Sequence, residues 1–176
     1  MTGDVRLREV TESDLPIYFE QQRDPVATHM AAFTAKDAAD WEAFAAKWAK
    51  ILRDASLSKR TILFDDQVAG SVVVFVAPWS GQLEVSYWLG REFWGKGIAT
   101  RALAAFLDMV PTRPLYARAA NDNIASIRVL EKCGFKIAGY ERGFANARGE
   151  EIDEVVLELR EKPSSAGCGD PGSSCV

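Results

Sequence analysis

The chain has 176 residues, 48% of them apolar and 26% charged, with a formal net charge of −4 at pH 7. That length suits one domain with a real core, and the acidic balance excludes a general nucleic-acid binder, whose surface must neutralise phosphates. No apolar run approaches ~20 residues and no signal-peptide pattern is present, so a soluble, cytoplasmic protein without a membrane partner is expected.

Residues 5–10 (VRLREV) alternate and predict an opening strand. Thr11 or Ser13 caps a helix that carries Leu15, Ile17, Tyr18 and Phe19 and stops at Pro25. Residues 26–33 read as a connector holding His29, Met30 and Phe33. A second helix, residues 37–53, places Trp41, Phe44, Trp48 and Ile51 at three-to-four spacing, an apolar stripe meant for the core. Residues 60–64 and 68–76 form a hairpin, and residues 83–89 (LEVSYWL) a further strand. A helix over 98–110 then leads to a strand over 115–119. A helix between two strands predicts that they lie parallel, joined with a right-handed crossover. A short helix over 123–133 and closing strands over 135–140 and 151–159, joined by a loop over 141–149, complete a domain of residues 1–162. Residues 163–176, rich in Ser, Gly, Pro and Cys, read as a flexible tail.

The stretch REFWGKGIATRAL, residues 91–103, carries the most chemistry. It runs from a strand through a glycine-punctuated loop into a helix. Backbone N–H groups of Gly95, Lys96, Gly97, Ile98, Ala99 and Thr100 are left without helical partners, and the helix dipole adds positive potential. Gly95 and Gly97 let a ligand approach the backbone closely. A phosphate or pyrophosphate is the natural occupant. A dinucleotide fold would need a third glycine where Thr100 stands, and that reading is rejected. Cys133, Cys168 and Cys175 form no disulfide framework, and one histidine without paired Cys/His spacing predicts no metal.

Three segments in order, LEVSYWL (83–89), FWGKGIAT (93–100) and NDNIASIRVLEKCGFKIAGY (121–140), resemble the GNAT superfamily of acetyl-CoA-dependent N-acetyltransferases, and within it the RimJ/RimL-like ribosomal-protein branch. The resemblance covers residues 5–160. It implies an α/β fold with a mixed, mostly antiparallel sheet of six or seven strands, splayed between the fourth and fifth, and flanked by about four helices. Acetyl-CoA is the implied cofactor, its pyrophosphate on the loop and its pantetheine arm along Tyr87, Trp88 and Leu89, with Asn123 and Ser126 near the thioester.

The implied reaction is direct attack by an amine. Glu84 takes the proton or orients the amine, and backbone N–H near Leu89 holds the oxyanion. The leaving sulfur needs a hydrogen-bond donor. Relatives use a tyrosine where this chain has Leu130, which leaves Ser126 as the substitute and Tyr140 as the runner-up. Glu92 departs from the Gln or Arg usual at its place. His29, Met30, Phe33 and Glu84 line the implied acceptor pocket. On branch resemblance the acceptor is a protein or peptide N-terminus. A small amine (amino acid, polyamine or aminoglycoside) is the alternative, and a non-catalytic acyl-CoA sensor the rival. A homodimer is compatible with the family. Trp41, Phe44, Trp48 and Cys133 are read as core.

Overall fold

The computed structural model describes residues 3–160. The domain boundary at 162 and the tail lie outside the described residues. Seven strands form one sheet in the order β1-β2-β3-β4-β5-β7-β6. They are β1 (Val5–Arg8), β2 (Lys59–Phe64), β3 (Gln67–Val76), β4 (Leu83–Leu89), β5 (Leu115–Ala120), β6 (Lys136–Ala145) and β7 (Glu150–Leu159). Every neighbouring pair is antiparallel except β4 and β5, which run parallel as the crossover predicts. The helices are α1 (Leu15–Gln22), α2 (Pro25–Ala31), α3 (Trp41–Arg53), α4 (Ile98–Met109) and α5 (Ile124–Lys132).

Three boundaries differ from expectation, each for a local reason. Pro25 begins a helix rather than only ending one. Asp24 accepts from the N–H groups of Val26 at 2.9 Å and Ala27 at 3.0 Å, and a proline at the first position gives up no helical hydrogen bond. The supposed connector is therefore α2, which makes five α-helices rather than four among the described residues. The next helix starts at Trp41, not residue 37. Asp40 caps it through Ala43 N–H at 3.0 Å, while Asp37 turns its carboxylate onto Ala39 N–H at 2.9 Å and so forms a separate turn. The loop over 141–149 shrinks to four residues, because β6 stays paired with β7 as far as Ala145 opposite Glu150.

The hairpin from β2 to β3 turns on Asp65 and Asp66, both with positive φ (47° and 66°), the two-residue geometry that matches strand twist. The main core lies between the sheet and α4 and α5, around Val72, Val85, Leu103, Phe106 and Leu157. On the opposite face α1 and α3 bury Tyr18, Phe19, Phe44 and Trp48 against Val73, as the apolar stripe predicts, although Trp41 stays 40% exposed at the edge. The residues behind α2 close over Ala120 and Ala145.

The sheet is stitched along its whole length on both sides of one seam. β3 holds β4 from Gly70–Leu89 to Val76–Leu83, and β7 holds β5 from end to end. Between β4 and β5 the register gives a single pair, Glu84 with Tyr116. Beyond it the two strands share no further pair, and this split in the sheet is the cleft between them.

Candidate active site

At the mouth of that cleft stands the glycine loop. Gly95 and Gly97 have φ of 73° and 72°, and a Cβ at either position would meet no atom within 4 Å. Left-handed backbone favours glycine, and here it leaves open space beside the start of α4. Gly97 caps α4 without a side-chain hydrogen bond, so the first N–H groups of a 12-residue helix remain for a ligand. The loop itself is pinned. Phe93 is buried edge-on to Phe64, with ring centroids 6.3 Å apart, and Trp94 Nε1 donates to the Leu89 carbonyl at 2.9 Å.

The side chains of the loop divide by depth. Ile98 is 1% exposed and Ala99 packs on the core, so these two present only their backbone. Thr100 is half-buried, and its carbonyl accepts from the Cys133 thiol at 3.6 Å. Cys133 is a core residue whose thiol burial pushes up in pKa. Lys96 is exposed with Nζ 5.6 Å from the Phe64 ring centroid, a local cation at the mouth. Glu92 points to solvent, Arg91 lies 3.5 Å from Asp24, and Arg101 donates to the Gly3 carbonyl at 2.8 Å.

Strand alternation sends β4 side chains to two different places. Tyr87 packs with Val85 and Leu89 toward α4 and α5. Its phenol lies 2.8 Å from the Ser126 hydroxyl, joining β4 to α5 across the cleft. Burial pushes the Tyr87 phenol up to about 12. Asn123 caps α5 by accepting from Ser126 N–H at 3.2 Å, which fixes where that serine stands. Leu130 is 1% exposed, a core side chain on α5. Tyr140 is 63% exposed on β6.

Glu84, Ser86 and Trp88 lie on the other face, with Val73 and α1 and α3. Glu84 is 2% exposed. Its Oε1 accepts from Arg118 Nε at 2.5 Å, while its buried Oε2 has no hydrogen-bond partner; Trp88 Nε1 is likewise unpartnered. Arg118, from β5, also donates to Glu141 at 2.5 Å and Glu154 at 3.3 Å, and its guanidinium lies 5.7 Å from the ring centroid of Trp79. One cation thus serves three carboxylates. Although burial opposes its charge, these partners bind its proton more tightly than usual. Burial raises the Glu154 carboxyl against the pull of Arg118. No motif marked Arg118, because its partners come from β4, β6 and β7. An alternating strand with an arginine between alanines (LYARAA) was the only signal available.

The predicted acceptor residues gather beside this face. Asn123 Nδ2 donates to the Met30 carbonyl at 3.2 Å. Arg148 donates to the His29 carbonyl at 3.0 Å and grips Asp122 at 2.6 and 2.9 Å. Phe33 packs on the small cluster of Ala32, Ala120 and Ala145, and lies close enough to Gly143 to meet a Cβ there at 3.3 Å. The end of α2 is therefore tied to the start of α5 and to the tip of the β6–β7 hairpin.

The fold and site define an α/β domain with an open glycine loop and an uncapped helix start at one end of a split sheet and two polar clusters on opposite faces of the split. Residues 4–136 match the family model described as acetyltransferase (GNAT) domain, and the chain belongs to that family. A curated relative, the uncharacterized N-acetyltransferase p20 of Bacillus licheniformis, is 32% identical over 84 residues, 46% of this chain and 47% of that one. The match spans about half the length of that relative. Among solved structures, the ribosomal-protein-alanine N-acetyltransferase from Brucella melitensis superposes with a TM-score of 0.75 at 21% identity, covering 89% of this chain and 99% of that one. Spermidine N-acetyltransferase from Vibrio cholerae, solved with CoA and spermine, gives a TM-score of 0.73 at 16% identity, covering 89% and 95%. At such identities the likeness is one of fold. No helix among the described residues is long and apolar enough to cross a membrane.

Proposed function

We propose that this protein transfers an acetyl group from acetyl-CoA to a primary amine by direct attack, and that the amine is a protein or peptide N-terminus. The observation that carries the reading is the single β4–β5 pair at Glu84–Tyr116, with the open loop of Gly95–Gly97 at the cleft mouth. The residues present fit the coenzyme. The cradle that a Cβ would narrow suits a pyrophosphate, each charge-assisted hydrogen bond contributing about 1.5–3 kcal/mol. The parted edges of β4 and β5 suit the amides of a pantetheine arm.

When bound, acetyl-CoA supplies the acetyl group as a thioester. The chain does the rest by placement and electrostatics. Backbone N–H near Leu89 would hold the oxyanion that develops on the acetyl carbonyl. Glu84 accepts the proton from the amine, directly or through water, at the one oxygen that Arg118 leaves unused. Ser126, on the other face, would hydrogen-bond the departing sulfur. The end of α2, with His29, Met30 and Phe33, borders the acceptor's approach.

A cationic small amine is the second reading, favoured by the three carboxylates around Arg118. Free-thiol release from acetyl-CoA, run against pools of N-terminal peptides and against polyamines, amino acids and aminoglycosides, separates the two. Acceptor-dependent release that falls in Glu84→Gln supports the transferase. Release with no pool, while CoA still raises the melting temperature, replaces it with a binding module.

A further inference from the structure

The hydroxyls of Tyr87 and Ser126 form a pair, 2.8 Å apart, in which either oxygen can donate. We infer that Tyr87 is a positioning residue for the leaving group: its phenol donates to Ser126 Oγ, which turns the Ser126 hydroxyl proton toward the sulfur that departs. The inference rests on the transferase reading and adds to it a residue whose side chain has no other polar partner.

Four observations support it. First, the two oxygens are 2.8 Å apart, a normal O–H···O distance. Either atom can donate in such a pair, but a phenol is the more acidic hydroxyl and a serine oxygen the better acceptor. Second, both groups are held. Tyr87 is packed between β4 and the main core, and Ser126 sits in the first turn of α5, fixed by the Asn123 cap. Third, the pair crosses the part of the sheet where β4 and β5 have separated. It therefore lies beside the cleft and not inside a closed ladder. Fourth, α5 supplies no phenol of its own near Ser126, since Leu130 is in the core.

The chemistry balances without moving a proton off the tyrosine. The C–N bond forms, the C–S bond breaks, and sulfur leaves with the electron pair. The proton lost by the amine goes to Glu84 or water. A thiol titrates near ~8.5, and the buried phenol holds its proton up to about 12. The phenol therefore stays neutral and polarises the serine, a chain of two hydrogen bonds that strengthen one another. Catalysis gains only from what the chain offers to sulfur as charge develops there.

The test reads the thiol itself. The bound CoA thiol is titrated by its ultraviolet thiolate absorbance in the wild type, Tyr87→Phe, Ser126→Ala and the double variant. Acetyl-CoA turnover with the best amine is measured in the same four proteins. The expected result is a bound thiol more acidic than free CoA in the wild type. Tyr87→Phe should shift it back about threefold to tenfold in acidity, and lower kcat by a similar factor with KM for acetyl-CoA within about twofold. The double variant should match Ser126→Ala alone, because one chain has been cut twice. A thiol pKa unchanged by Tyr87→Phe, or two effects that simply add, overturns the proposal and leaves the transferase reading standing. Failure of the wild type to bind CoA overturns both. Tyr87→Phe keeps the ring that packs the core, and Ser126→Ala probes the same chain should the first variant be unstable.

Discussion

Arg118 Nε reaches Glu84 Oε1 at 2.5 Å, from the strand that meets β4 at one register pair only. The contact spans the seam where the sheet begins to open. It fixes the carboxylate where the split begins, and it leaves Oε2 without a hydrogen-bond partner. The same guanidinium draws in Glu141 and Glu154, so β4, β5, β6 and β7 are joined by one side chain.

Removing that side chain should be costly. Arg118→Met leaves Glu84 buried without its counter-charge, and breaking a buried pair from one side typically costs about 3–5 kcal/mol. Urea unfolding should show the loss at neutral pH. Arg118→Met with Glu84→Gln should recover part of it, since the uncompensated charge is gone.

Gly97→Ala tests the cradle. An alanine at φ 72° carries left-handed strain of about 1–2 kcal/mol, with no clash against the protein. Stability should fall by about that amount. Calorimetric affinity for CoA should fall further, because in the proposed cradle the methyl group would take space that the pyrophosphate needs. Equal losses in folding and no loss in CoA binding would remove the loop from the site.

Arg148→Ala addresses the acceptor side. It frees the His29 carbonyl and the Asp122 carboxylate, and so loosens the end of α2 from α5. KM for the amine should rise several-fold while KM for acetyl-CoA stays within about twofold. Steady-state kinetics with each substrate varied in turn checks it.

Acid stability should depend on Asp14. Burial pushes this carboxyl up, but hydrogen bonds from Arg8, Thr11 and Thr61 overcome it and hold it down at about 2. A depressed folded value means stability that is present above the unfolded pKa near ~3.9 and is lost as pH falls toward about 2. The side chain is only 2% exposed, and the shift corresponds to about 2 kcal/mol. Unfolding free energy should drop in the wild type as pH falls from about 6 to about 2, and Asp14→Asn should flatten that part of the profile.

Much of this protein was legible in its sequence. The glycine loop, the parallel pair and the capped start of α5 are local. Gly95 and Gly97 set backbone angles, Asn123 caps through a residue three positions away, and a helix between two strands fixes their sense. Periodicity separated the two faces of β4, which already placed Glu84 apart from Tyr87. The helix bounds at Pro25 and Asp40 went astray because one aspartate can cap a helix or make a turn, and neighbouring residues do not decide which.

How distant residues share charge and hydrogen bonds depends on strand packing. Arg118 meets Glu84, Glu141 and Glu154 at separations of 34, 23 and 36 residues, and Tyr87 meets Ser126 at 39. Such contacts carry no sequence period, because they depend on which strands lie side by side and where two of them part. Local patterns set the scaffold, the glycine loop and the chemistry on offer. The fold decided which carboxylate is countered, which hydroxyl has a partner, and that the two stand on opposite faces of one cleft.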